Sequence, residues 1–128
     1  MGLIGFMKII LYVTDHPASL FSLSLILNSS GYRCITAEDP EIARRLHQKH
    51  RANVLIVDHD VAGFQGCAVA ERLKDIVDAP VIFLSGSPEL REKPACADLL
   101  LPKPVSPELL LSQIAILLSA HPELPACD

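Results

Sequence analysis

The sequence has no excess of positive charge: 11 Lys and Arg stand against 15 Asp and Glu, a net charge of −4. That removes the basic footprint with which proteins hold nucleic-acid phosphates, so no direct nucleic-acid partner is expected. It also lacks any Cys-x-x-Cys pair. Cys34, Cys67, Cys96 and Cys127 are dispersed, with no histidine spacing to match, which excludes a zinc cradle and leaves free thiols of a reducing compartment. No apolar run approaches the roughly 18 residues of a membrane-crossing helix. The apolar opening MGLIGFMKIILYV has no basic leader, carries Lys8 in mid-run and passes into the first strand pattern, while Phe6 stands where N-myristoylation needs Ser or Thr. A soluble, cytoplasmic chain without a membrane partner is expected. Only 20% of residues are charged and 50% are hydrophobic, which excludes disorder. The 128 residues suffice for one domain with a buried core, not for two.

What is present is an alternation of patterns. KIILYV (8–13), YRCIT (32–36), NVLIV (53–57), PVIFL (80–84) and DLLL (98–101) read as strands. Between them, residues 17–29 set Leu20, Leu23 and Leu27 at helical spacing, residues 40–50 form a second helix, and residues 64–76 bring Val69, Leu73 and Ile76 to one face. Residues 107–119 close the set. Asp39-Pro40-Glu41, Ser87-Pro88-Glu89 and Ser106-Pro107-Glu108 each supply an N-cap oxygen, a proline at the first helical position and an acid facing the positive helix end. Gly31 suits the left-handed turn after the first helix. Pro94 cuts the Ser87 helix to under two turns. His47 and His50 read as an exposed helix end, and His16 and His59 as loop residues at a rim. Strands apolar on both faces, separated by helices, predict a doubly wound α/β domain with a parallel sheet.

Ligands of such sheets bind beyond the carboxyl ends of the strands. Thr14 and Asp15 follow the first apolar run, Asp58 the third, Ser85 and Gly86 the fourth, and Lys103 the fifth. In a sheet of order 2-1-3-4-5, strands 1 and 4 flank strand 3 at about 4.8 Å, and strand 5 lies about 10 Å from it, within a lysine's reach. Two acids, a hydroxyl and an ammonium then converge. The acids suit a hard divalent cation such as magnesium, and the hydroxyl and ammonium suit phosphoryl oxygens.

With VTDHP (13–17), VDHDVAGFQG (57–66), SG (85–86) and LPKP (101–104), the span from Lys8 to Ser119 resembles the receiver domain of bacterial two-component response regulators. The resemblance implies a flavodoxin-like (βα)5 fold over residues 1–120, with 121–128 as a tail or linker start. It implies that Asp58 accepts a phosphoryl group from a histidine kinase or phosphotransfer protein. Asp15, Asp58 and the backbone carbonyl of Asp60 would hold Mg2+, Ser85 and Lys103 would contact the phosphoryl group, and Gly86 would admit the phosphohistidine. The Lys103–Pro104 bond would be cis. A second copy of the chain is a further candidate partner, and the cognate kinase, the downstream effector and any longer parent protein are left open.

The chain departs from the family at four places. Thr14 replaces the first acid of the usual pair, a loss of about 1 kcal/mol, or roughly fivefold to tenfold weaker Mg2+ binding. Ala62 replaces a proline, Leu100 stands where an aromatic switch residue is usual, and the segment between Ser85 and Lys103 is short. Two rival readings follow. A pseudo-receiver would keep the fold as a phosphorylation-independent interaction module. Asp58-His59-Asp60-Val61 also fits the opening of haloacid dehalogenase-type phosphatases, whose late acidic pair would have only Asp98 to supply it.

Overall fold

The computed structural model describes residues 7–58, 60–61, 64–65, 71–73, 78–86 and 97–120. Its strands are β1 (Ile9–Val13), β2 (Arg33–Ala37), β3 (Val54–Asp58), β4 (Asp60–Val61), β5 (Phe64–Gln65), β6 (Val81–Ser85) and β7 (Leu99–Pro102). Its helices are α1 (Pro17–Ser29), α2 (Pro40–His50), a helical stretch α3 over residues 71–73, and α4 (Pro107–Ala120). Five strands form one parallel sheet of order β2-β1-β3-β6-β7, which is 2-1-3-4-5 when the sheet strands alone are counted. This is the flavodoxin-like, doubly wound arrangement the sequence predicts.

Side chains alternate across a strand, so each strand feeds two cores. Leu11, Val13, Leu55, Val57 and Phe83 pack with Ala43 of α2 and Leu73 of α3 on one face. Ile10, Tyr12, Val54, Ile56 and Leu84 pack with Leu23 and Leu27 of α1 and Leu110 and Ile114 of α4 on the other. Covered on both faces, β3 and β6 are buried along their whole lengths. Leu100 is half-buried against the first of these cores, an aliphatic wedge where the family usually has a ring.

The helix signals work as expected where they are described. Asp39 accepts a hydrogen bond from the Ile42 amide at 2.9 Å, and the Ser106 hydroxyl accepts one from Leu109 at 3.1 Å. Gly31 takes φ 95°, the left-handed turn that glycine enters without a Cβ clash. The helix expected after Ser87 lies outside the described residues, as do His59 and Ala62.

Two expectations need correction. Phe64 and Gln65 do not begin a helix: they pair antiparallel with Val61 and Asp60, and helical backbone is described only at 71–73. The apolar spacing of residues 64–76 hid a short strand pair at its start. His47 is not exposed but 2% accessible, one turn beyond buried Ala43, and its Nδ1 accepts a hydrogen bond from the Ala52 amide at 3.1 Å. An imidazole there satisfies backbone at the helix end, which an apolar side chain could not do.

The amino ends of the strands carry a repeated device. Asn53 donates its amide to the Ile9 carbonyl at 2.7 Å, and its side-chain oxygen accepts from the Ile9 amide at 2.8 Å. Asp98 does the same with Val81, at 2.8 Å both ways. Asp98 is thus a strand clamp at the end of the sheet away from Asp58, which removes the late acid that a phosphatase reading needs.

Each clamp hydrogen bond is worth on the order of 1 kcal/mol. Asn53→Ala and Asp98→Ala should each lower unfolding free energy by about 1–2 kcal/mol, read from urea midpoints at unchanged slope. Cys34, a free thiol, is pushed up by burial to about 11 and stays protonated at neutral pH. Since the thiolate is the nucleophile, iodoacetamide should modify Cys34 slowly at pH 8 and faster only as pH nears 11, as followed by peptide mapping.

Candidate functional site at the carboxyl ends of the strands

The strand order reverses at β1, so the ends of β1 and β3 border the crevice where such sheets bind ligands. Register places the polar residues. Val13 pairs with Val57, so Thr14 and Asp58 each lie one step beyond a paired position. Asp58 pairs with Leu84, Ser85 with Pro102, and the Lys103 amide donates to the Ser85 carbonyl at 2.8 Å. Thr14, Asp58, Ser85 and Lys103 therefore follow one another along a single rim.

Asp58 is the centre of this rim. It is fully buried, and a buried carboxylate must be compensated or protonated. Compensation comes from two sides. The Lys103 ammonium, part-exposed, lies 2.6 Å from Oδ1, and the Thr14 hydroxyl donates to Oδ2. The ammonium approaches Oδ1 closely but without the angles of a directed hydrogen bond, so Oδ1 retains unmet acceptor capacity. We treat this contact as a charge pair, because Coulombic attraction depends on distance more than on angle.

The neighbours hold these donors in place. Thr14 is fully buried, its amide donates to the Ala37 carbonyl at 2.9 Å, and Oγ1 accepts from the His16 amide at 3.2 Å. Tyr12, on β1 two residues before Thr14, is also fully buried. Burial and then the Asp58 charge raise the Tyr12 phenol above its ordinary value, so it remains a neutral donor. The Lys103 stem runs past Gly86, where an added Cβ would meet Lys103 Cδ at 3.9 Å, an ordinary contact. Packing alone does not demand glycine there. The Lys103–Pro104 bond is cis.

Ser85 is buried at the end of β6. Asp15 points into a more open environment: its side chain is 38% exposed and its carboxylate lies 3.8 Å from His16 Nε2. Asp60 belongs to the β4–β5 pair that begins two residues after Asp58. Asp15, Asp58 and the Asp60 carbonyl are hard oxygen donors of the kind magnesium takes, and Oδ1 of Asp58 is a buried oxygen able to accept more. The donors fit the ion in kind, although no group of three His, Cys, Asp or Glu side chains is gathered around one point among the described residues. Sequence reasoning treated Thr14 only as a missing acid. Its hydroxyl bond to Asp58 had no signal in the sequence beyond its place after a strand.

Residues 10–115 match the family described as response regulator receiver domain. Sensor histidine kinase RcsC of Salmonella typhimurium is 29% identical over 112 residues, 84% of this chain and 12% of RcsC. The phosphate regulon transcriptional regulatory protein PhoB of Pseudomonas aeruginosa is 29% identical over 118 residues, 87% of this chain and 52% of PhoB. The chain therefore spans only part of the length of these relatives. A solved structure of response regulator protein TrrA from Thermotoga maritima, in complex with Mg2+ and BeF, aligns with a TM-score of 0.77 at 29% identity, covering 87% of this chain and 99% of that one.

The charge pair can be measured. Lys103→Ala should cost about 1–3 kcal/mol, below the roughly 3–5 kcal/mol of a broken fully buried pair because the ammonium is partly solvated. In an Asp58→Asn background the same change should cost less, with a coupling energy of at least about 1 kcal/mol in a urea-unfolding cycle.

Proposed function

The chain belongs to the response regulator receiver domain family, and we propose that Asp58 accepts a phosphoryl group from the phosphohistidine of a histidine kinase or phosphotransfer protein. The observation that carries the reading is the buried Asp58 carboxylate at the end of β3 with the Lys103 ammonium 2.6 Å away.

In the proposed reaction an Asp58 oxygen attacks the phosphorus, the P–N bond to the donor imidazole breaks, and the electron pair leaves on that nitrogen. An acyl phosphate on Asp58 results, and because the other ring nitrogen of the donor phosphohistidine carries a proton, the imidazole leaves neutral. A carboxylate is repelled by an anionic phosphoryl group, and Lys103 offsets that repulsion from one side. Ser85, at the next strand end, donates its hydroxyl to a phosphoryl oxygen, and Gly86 leaves the approach clear. Asp15, Asp58 and the Asp60 carbonyl would hold Mg2+, which would supply the remaining neutralisation of charge. With Thr14 in place of an acid, the pocket binds this ion roughly fivefold to tenfold more weakly than one carrying both acids. Phosphorylation then redistributes the rim, Ser85 and Lys103 following the new charge, and the changed surface is read by a partner.

Among the described residues no helix is long and apolar enough to cross a membrane. A second reading, a phosphorylation-independent docking module, is favoured by one feature: both oxygens of Asp58 already face protein donors.

Acetyl phosphate with Mg2+ should add one phosphoryl group by intact mass, at a rate that falls steeply when the metal is chelated and to nothing in Asp58→Asn. A generic phosphomonoester should not be turned over. No labelling of a folded protein at saturating Mg2+ would leave the docking module as the better description.

A further inference from the structure

We propose that Thr14 is a latch on Asp58: its hydroxyl occupies one oxygen of the phosphoacceptor carboxylate and must release it before a divalent cation and a phosphoryl group can use both. This rests on reading Asp58 as the phosphoacceptor. It assigns Thr14, the position at which the chain departs from the family's acidic pair, an action of its own as a positioning residue.

The direction of the bond is dictated by its surroundings. The Thr14 oxygen accepts from the His16 amide. A hydroxyl has a single hydrogen, and here it goes to Oδ2 of Asp58. Thr14 has little freedom to turn away. Its backbone is tied to Ala37, its side chain is fully buried, and a β-branched residue has few rotamers. Asp58 itself exposes no surface to solvent.

The chemistry asks more of Asp58 than this resting state leaves open. One oxygen must bind the cation while the other attacks phosphorus, yet Oδ2 already accepts from Thr14, which takes up one of its acceptor positions, and Oδ1 faces the Lys103 ammonium. Hydrogen bonds to ionised groups are among the stronger ones, and losing this one opposes the cation. A missing carboxylate would also weaken cation binding, but that effect is indifferent to the hydroxyl. The two causes separate in Thr14→Val, which keeps shape and charge and removes the hydroxyl, and with it both the bond to Asp58 and the acceptor of the His16 amide.

The test is a titration with MgCl2 alone, followed by backbone amide shifts of the strand ends, in the wild type and in Thr14→Val, Thr14→Ser, Thr14→Asp and Asp58→Asn, each first shown to unfold cooperatively in urea. The latch predicts that Thr14→Val binds Mg2+ about threefold to tenfold tighter than the wild type, that Thr14→Ser matches the wild type, and that Asp58→Asn loses the saturable site. Thr14→Ala takes the place of Thr14→Val if the latter does not fold. Affinity in Thr14→Val equal to or weaker than wild type overturns the latch, as does the lack of saturable binding in both. Tight binding in Thr14→Asp then shows that the phosphoacceptor reading survives without it. Saturable binding that persists in Asp58→Asn overturns the reading of the site itself.

Discussion

A carboxylate shut away from water at the end of the central strand has to be balanced by charge, and the Asp58–Lys103 pair does that here. Its geometry is inherited from the sheet. Lys103 reaches across β6 from the end of β7, and the bond from its amide to the Ser85 carbonyl keeps the two strand ends in step. Any slip of register on this side of the sheet would pull the ammonium from the acid. Order of strands, packing of both cores and compensation of one buried charge are therefore one problem with one solution.

Much of the fold was legible because its driving patterns are local. Apolar runs and helix caps located the five sheet strands, α1 and α2, and the polar residues after those runs marked the rim. Four of the five sheet strands nevertheless run one residue further than their apolar patterns: NVLIV ends at Val57, but the ladder continues to Asp58, because Leu84 on β6 pairs with it. Hydropathy does not report a polar residue held in a ladder by its neighbour. The same blindness hid His47, whose spacing from Ala43 puts it on the buried face while its polarity suggests solvent. Phe64 failed in the opposite direction, an apolar residue at helical spacing that pairs as a strand.

The site was legible as a set of positions and not as a set of bonds. Asp58, Ser85 and Lys103 could be placed at neighbouring strand ends from order and spacing alone. What Thr14 does there could not, since the identity of a missing acid says nothing of where the replacing hydroxyl points. Asp15 illustrates the remaining distance: it follows Thr14 directly, yet its side chain stands half in solvent beside His16.

The clamps of Asn53 and Asp98 give the sheet two unlike margins. At the amino margin, side chains stitch backbone to backbone with bonds that no ligand can replace. At the carboxyl margin the contacts of Asp58 run between side chains, with Thr14 on one oxygen and Lys103 beside the other. Side-chain stitching of backbone and side-chain compensation of a buried charge are thereby housed at opposite edges of one sheet, so a change at Asp58 need not disturb the seam at Asn53 and Asp98.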